Sequence, residues 1–151
     1  MARRKNTKNP DNAVLTIRSA QKADNETDAS ELNSTAHYQY QDGKAEISYT
    51  ELDEQGEENG KTVITVLNGK LVSIRKTGFT DAVMILETGK THKAHYHTIL
   101  GAMDMRLCAT DIDADFREEG GTLRMRYLLD IGESYSAVNM IYLQVSLRTE
   151  S

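Results

Sequence analysis

Lys61–Thr77, KTVITVLNGKLVSIRKT, holds two runs rich in β-branched and aliphatic residues on either side of Asn68-Gly69. The first run contributes Val63, Ile64, Thr65, Val66 and Leu67, and the second Leu71, Val72 and Ile74. A type I′ turn needs positive φ at both central residues, which Asn and Gly adopt at little steric cost. An Asn-Gly pair between two such runs predicts a β-hairpin. Working outward, the chain repeats this grammar.

Upstream, Ala13–Gln21 reads as a strand, and the polar segment Lys22–Ser30 as a turn-like connection. Glu31–Gln41 alternates, with Leu32, Ser34, Ala36, Tyr38 and Tyr40 on one side. Asp42-Gly43 gives a tight turn, and Lys44–Glu51 returns with Ala45, Ile47 and Tyr49 in phase. The acidic, Gly-containing stretch LDEQGEENG reads as an exposed loop. Downstream of Gly78, short strands are expected at Ala82–Leu86, Lys90–Thr98, Met103–Asp113, Leu123–Ile131 and Ser136–Arg148. The Asp-rich segment Ala109–Arg117 favours a loop over a short helix.

About ten short strands with near-regular turns and no convincing helix define an all-β domain. Strands joined by tight turns tend to neighbour each other, giving an antiparallel meander. Closure removes the exposed edges of so long a meander, so a small up-and-down barrel is expected. An open two-sheet sandwich is the second arrangement. Eight strands suffice for a barrel that admits side chains or one small ligand. The surplus strands would then be a bent strand counted twice, or a cover at one end.

With 151 residues the chain fits one domain, residues 13–151, behind a flexible basic tail of residues 1–12 with Arg3, Arg4, Lys5 and Lys8. Hydrophobic residues at 38% and charged residues at 27% exclude a disordered polyelectrolyte. No run approaches the ~20 apolar residues of a membrane helix, and no apolar segment follows the basic N-terminus as a signal would. Cys108 is alone, which suits a reducing, cytoplasmic address. A net charge of −5 argues against nucleic acid as the main partner.

Several features taken together and in order resemble the YwiB-like family of small bacterial proteins. They are Ile47-Ser48-Tyr49, Arg75 followed by Gly78, Tyr96-x-Thr98-x-x-Gly101, Gly121 followed by Tyr127, and Asn139-Met140. The resemblance runs from about Val14 to Val145 and leaves out Met1–Asn12. It implies a calycin, or lipocalin-like, barrel of uncharacterised function. Barrels of that kind commonly hold small ligands, which makes ligand binding an expectation by fold analogy alone.

The residues that could carry chemistry are few. His95 and His97 share one face of a strand with Cα atoms about 7 Å apart. Zinc would need a third protein ligand, and nothing in the spacing nominates one among His37, His92, Asp104 and Cys108. Exposed histidines on the outer wall are the simpler expectation. Cys108 shares a face with Arg106 and Thr110 and reads as a partly exposed, unreactive thiol. Asp111, Asp113 and Asp115 alternate without the Gly and Glu of a calcium loop, and read as a solvated acidic loop. No phosphate loop, nucleophile elbow or carboxylate pair is present, and nothing calls for a cofactor.

The expected interior is more informative. Seven Tyr, six Met, two Phe and no Trp leave a core with many hydroxyls. Tyr49, Tyr96 and Tyr127 fall on the inward phase of their strands. Buried phenols need hydrogen-bond partners. The family motifs nominate Arg75 and Thr98, although the face of Arg75 is ambiguous because both sides of its strand are partly apolar. These five residues could be a satisfied cluster that fixes register, or the floor of a pocket for a partly apolar or anionic small molecule. Non-catalytic ligand binding is therefore the first functional reading. An interaction or structural module, with a homodimer as one form of it, is the second, and an enzyme using the histidines the last. A pocket of about 300 Å³ or more touching Arg75 or Tyr96 would decide for the first.

Overall fold

The structure, a computed structural model, describes residues 11–133 and 135–148. Ten strands follow in chain order, with no helix among the described residues. They are β1 (Ala13–Ala23), β2 (Glu26–Gln41), β3 (Lys44–Leu52), β4 (Glu58–Leu67) and β5 (Leu71–Gly78), then β6 (Thr80–Glu87), β7 (Thr91–Thr98), β8 (Gly101–Arg117), β9 (Gly120–Ile131) and β10 (Tyr135–Leu147). Each pairs antiparallel with its sequence neighbour, and β1 also pairs with β10, so the meander closes into a barrel. All ten strands belong to the wall. The surplus over eight is neither a double-counted bend nor a cover.

The central hairpin forms in the register its residues dictate. Ile64 faces Ile74 and Val66 faces Val72 across β4 and β5, all four buried. Asn68 and Gly69 have φ of 52° and 67° at the turn, as a type I′ turn requires. Two segments differ from their expected conformation. Lys22–Ser30 is not a polar connection but the outer half of a long β1–β2 hairpin, paired through Ala23↔Glu26. Its turn is Asp24-Asn25, with φ of 50° and 66°, because Asp and Asn also tolerate the left-handed region.

The second difference is Ala109–Arg117, which continues β8 as a strand past a bulge between Ala109 and Asp111. The alternation of Asp111, Asp113 and Asp115 is the outer face of that strand, and Ile112, Ala114 and Phe116 pack against the core. Asp111 sits opposite Arg126 and Asp113 opposite Arg124 on β9, which gives the carboxylates opposite-charge neighbours in place of a loop.

Inward positions of every strand supply one core, including Leu15, Tyr38, Ile47, Val66, Val72, Leu86, Leu107, Met125 and Leu143. The two ends of the barrel differ. At the base, where β1 starts and β8 ends, the Tyr38 hydroxyl donates to the Arg117 carbonyl at 2.5 Å and its ring lies 6.2 Å from Phe116. Asn12, expected in a loose tail, is part of this base: its side chain donates to the Tyr38 carbonyl and accepts from the Tyr38 amide. The rest of the expected tail, residues 1–10, lies outside the described residues. At the opposite end, the rim, β3 turns to β4, β5 to β6 and β7 to β8. There Gly60 and Gly78 face each other so closely that a Cβ on Gly78 would lie 2.6 Å from the Gly60 Cα.

Candidate functional site

The period of two that builds the wall also places polar groups inside it near the rim. Along β3 the inward series Ala45, Ile47, Tyr49 runs on to Glu51, and along β4 it begins at Thr62. Along β5 it is Val72, Ile74, Lys76. Register sets Thr62 beside both Tyr49 and Lys76, and Ala82 between Lys76 and Tyr96. Three strands therefore deliver a carboxylate, a hydroxyl and an ammonium to one spot.

One Glu51 carboxylate oxygen accepts from Thr62 Oγ1 at 2.5 Å and from Lys76 Nζ at 2.8 Å. The ammonium also lies 3.4 Å from Thr62 Oγ1. Thr62 is fully buried, and the ionised pair is mostly so. Loss of water around Glu51 pushes its pKa up, but hydrogen bonds from Lys76 and Thr62 and the Lys76 charge more than offset this, leaving it below 4.5. Burial pulls the Lys76 pKa down, and the Glu51 hydrogen bond and charge, with smaller help from Tyr49 and Tyr96, carry it above 10.5.

The tyrosines close the cluster. Burial, with the Tyr96 hydroxyl next in importance, pushes Tyr127 up to about 12. Burial and the neighbouring Glu51 also raise Tyr49. The Tyr49 and Tyr127 hydroxyls are thus neutral, donor-capable groups at any physiological pH. Beside Tyr127 in the register stands Asn139, whose Oδ1 accepts from Gln21 Nε2 at 3.2 Å. The Asn139 amide nitrogen is buried and has no partner among the described residues.

A cavity of about 160 Å³ adjoins this cluster, lined by Glu51, Thr62, Lys76, Tyr96, Thr80 and Phe79, among others. Its volume is that of a small fragment, about half the ~300 Å³ at which ligand pockets begin. Exposed apolar side chains stand around the rim: Leu52, Phe79, Ile99 and Leu100, the last two 78% and 88% exposed.

Of the five residues singled out by sequence, Tyr49, Tyr96 and Tyr127 meet here. Arg75 does not. It points outward, because the inward series of β5 continues through Lys76 and puts Arg75 on the opposite face. Thr98 is also elsewhere occupied: its hydroxyl donates to the Gly101 carbonyl and accepts from the Leu100 amide, closing the β7–β8 turn. Glu51, Thr62 and Lys76 are the members that the sequence reading missed.

His95 and His97 lie on the outer wall as expected. His95 Nδ1 is 2.5 Å from Asp104 Oδ1, and the His95 and His97 rings are 6.4 Å apart. Among the described residues, no three His, Cys, Asp or Glu side chains gather as a metal site. Cys108 is half-buried.

Comparison with known proteins agrees with this architecture. Residues 15–143 match the family described as a domain of unknown function (DUF1934), and the chain belongs to that family. It is 24% identical over 120 residues to the uncharacterized β-barrel protein YwiB of Bacillus subtilis (strain 168), covering 80% of this chain and 82% of that one. The crystal structure of the Bacillus subtilis ywiB protein superposes with a TM-score of 0.78 at 22% identity, covering 92% of this chain and 93% of that chain. That likeness shows the fold.

Proposed function

We propose that this member of the DUF1934 family binds a small, partly apolar molecule at the rim end of its barrel, without catalysing a reaction. The observation that carries the reading is the buried Glu51–Thr62–Lys76 cluster beside a cavity that Tyr96 also lines. Groups that cost free energy to desolvate are grouped inside the barrel with space next to them. The unpartnered Asn139 amide, next to Tyr127, adds a donor without an acceptor. Because Glu51 and Lys76 neutralise each other, the favoured head group is uncharged, a carbonyl or hydroxyl that exchanges hydrogen bonds with the tyrosines. The apolar remainder lies against Phe79 and the rim. Catalysis has little to draw on here, since the carboxylate is held ionised by its two donors and no activated nucleophile adjoins it.

The test is ring-labelled tyrosine NMR during titration with 4-methylphenol, a neutral probe small enough for the cavity. Saturable shifts at Tyr96 and Tyr127, with Tyr38 and Tyr142 unmoved, support the reading. Uniform or absent shifts end it.

The exposed Leu52, Ile99 and Leu100 favour a second reading, a rim that docks a protein partner or a second copy. A light-scattering mass of one chain, unchanged with concentration, removes the homodimer form of it.

A further inference from the structure

The barrel wall is not continuous. β6 and β7 pair only through Thr80↔Thr98, Asp81↔His97 and Ala82↔Tyr96. Beyond Ala82, Val83–Leu86 stay paired to β5, and Thr91–His95 stay paired to β8, but the two strands make no register pairs with each other. The other end is closed by their connecting turn, where Glu87 bridges Lys90 and Thr88 bridges Ala109 on β8. A window therefore opens in the side of the barrel, pinched at both ends.

A cleft of about 540 Å³ occupies this window. Its apolar surface comes from Val83 and Ile85, on the outer face of β6, with Ala82 and Ala94 at the bottom. Its cations are Arg75 on β5, next to Val83 in the register, Lys93 on β7, and Lys76, which is committed to Glu51. Arg75 and Lys93 have no hydrogen-bond or ion-pair partner among the described residues. Lys93 stands opposite Arg106 on β8, a like-charge neighbour that adds to the positive potential. One carboxylate, Asp81, lines the cleft beside His97 in the register, and Asp104 is held by His95. In a chain of net charge −5, two unpaired cations flanking an apolar cleft mark a place that favours a negative charge carried by a greasy body.

We propose that this window binds an amphiphile ending in an oxyanion, a carboxylate or a phosphate, with Arg75 and Lys93 on its head and Val83 and Ile85 along its chain. The site is distinct from the neutral-ligand cavity at the rim, although Lys76 and Thr77 border both. Arg75 suits the head because its guanidinium can hold two oxygens at once.

The experiment is calorimetric titration of the intact protein with dodecanoate, dodecyl phosphate and inorganic phosphate. Saturable binding of at least one amphiphile below about 1 mM is expected, and inorganic phosphate should bind at least tenfold more weakly. The better amphiphile identifies the head group. Arg75→Ala and Lys93→Ala should each weaken binding by about tenfold, and Arg75→Lys by less. Val83→Asp should abolish it. Arg148→Ala, a charge change at the other end of the barrel, should leave it unchanged. All these positions are exposed, so thermal unfolding should stay at the wild-type temperature in every variant. Affinities that ignore Arg75 and Lys93, or inorganic phosphate binding as well as the amphiphiles, would overturn the proposal, as would no saturation at all. The tyrosine shifts with 4-methylphenol read the rim separately and are unaffected by Arg75→Ala.

Discussion

Replacing Lys76 by Met keeps the length of the side chain and removes its charge, leaving the Glu51 carboxylate with Thr62 as its one remaining donor. An exposed ion pair contributes about 0–1 kcal/mol, and breaking a fully buried one costs about 3–5 kcal/mol. Here the two side chains are 24% and 32% exposed, with a 2.8 Å contact and a shared hydroxyl. The expected loss lies between those limits, at about 2 kcal/mol. For a domain of this size each kcal/mol moves Tm by about 2–4 °C, so Lys76→Met should melt about 4–8 °C lower. The double variant Glu51→Gln/Lys76→Met should recover most of this, since no unpaired charge is left inside.

The pH dependence follows from the directions of the shifts. Glu51 is depressed in the folded protein, so its contribution is present above 4.5 and is lost as pH falls through the folded value. Lys76 is raised, so its contribution is present below 10.5 and is lost as pH climbs through the folded value. The gap between wild type and Lys76→Met, measured by urea unfolding, should be flat between these limits and shrink beyond each. A Lys76→Met protein as stable as wild type at pH 7, or a gap that does not narrow in acid, would refute the reasoning.

Two further outcomes test the structure behind the site. Gly78→Ala should cost about 2 kcal/mol or more in urea unfolding, because φ of 105° and the nearby Gly60 backbone both exclude a methyl group. In alkaline spectrophotometric titration Tyr38 and Tyr127, each pushed up to about 12 chiefly by burial, should ionise well above the ordinary phenol value of 10. Because the unfolded chain ionises near 10, stability should fall as pH rises from there toward 12, and Tyr127→Phe should remove one late-titrating group.

Much of the fold was legible because local signals and burial agree. Asn68-Gly69 marks one hairpin, and alternation marks the inner faces of β2, β3 and β9. The errors fell where residue chemistry and periodicity pulled apart. Acidic residues at Asp111, Asp113 and Asp115 suggest a loop by composition, but their spacing of two is that of a strand with its wet side out. The polar stretch Lys22–Ser30 hides a hairpin for the same reason. The site was half legible. Its tyrosines lie on clear apolar phases, whereas Glu51, Thr62 and Lys76 sit where those phases run past the last aliphatic residue. Extending Val72, Ile74 by two gives Lys76, and extending Ile47, Tyr49 by two gives Glu51. A charged residue in an inward slot looks like the end of the pattern when it is the part the barrel has set aside.

The most direct measurement is native mass spectrometry of the gently purified protein beside Thr80→Phe, a change that fills the rim cavity without touching the Glu51–Lys76 pair. A small molecule that stays with wild type and is missing from Thr80→Phe is the result expected. Wild-type protein at the bare chain mass, gaining no adduct with 4-methylphenol, would contradict the proposal that the rim is a binding site.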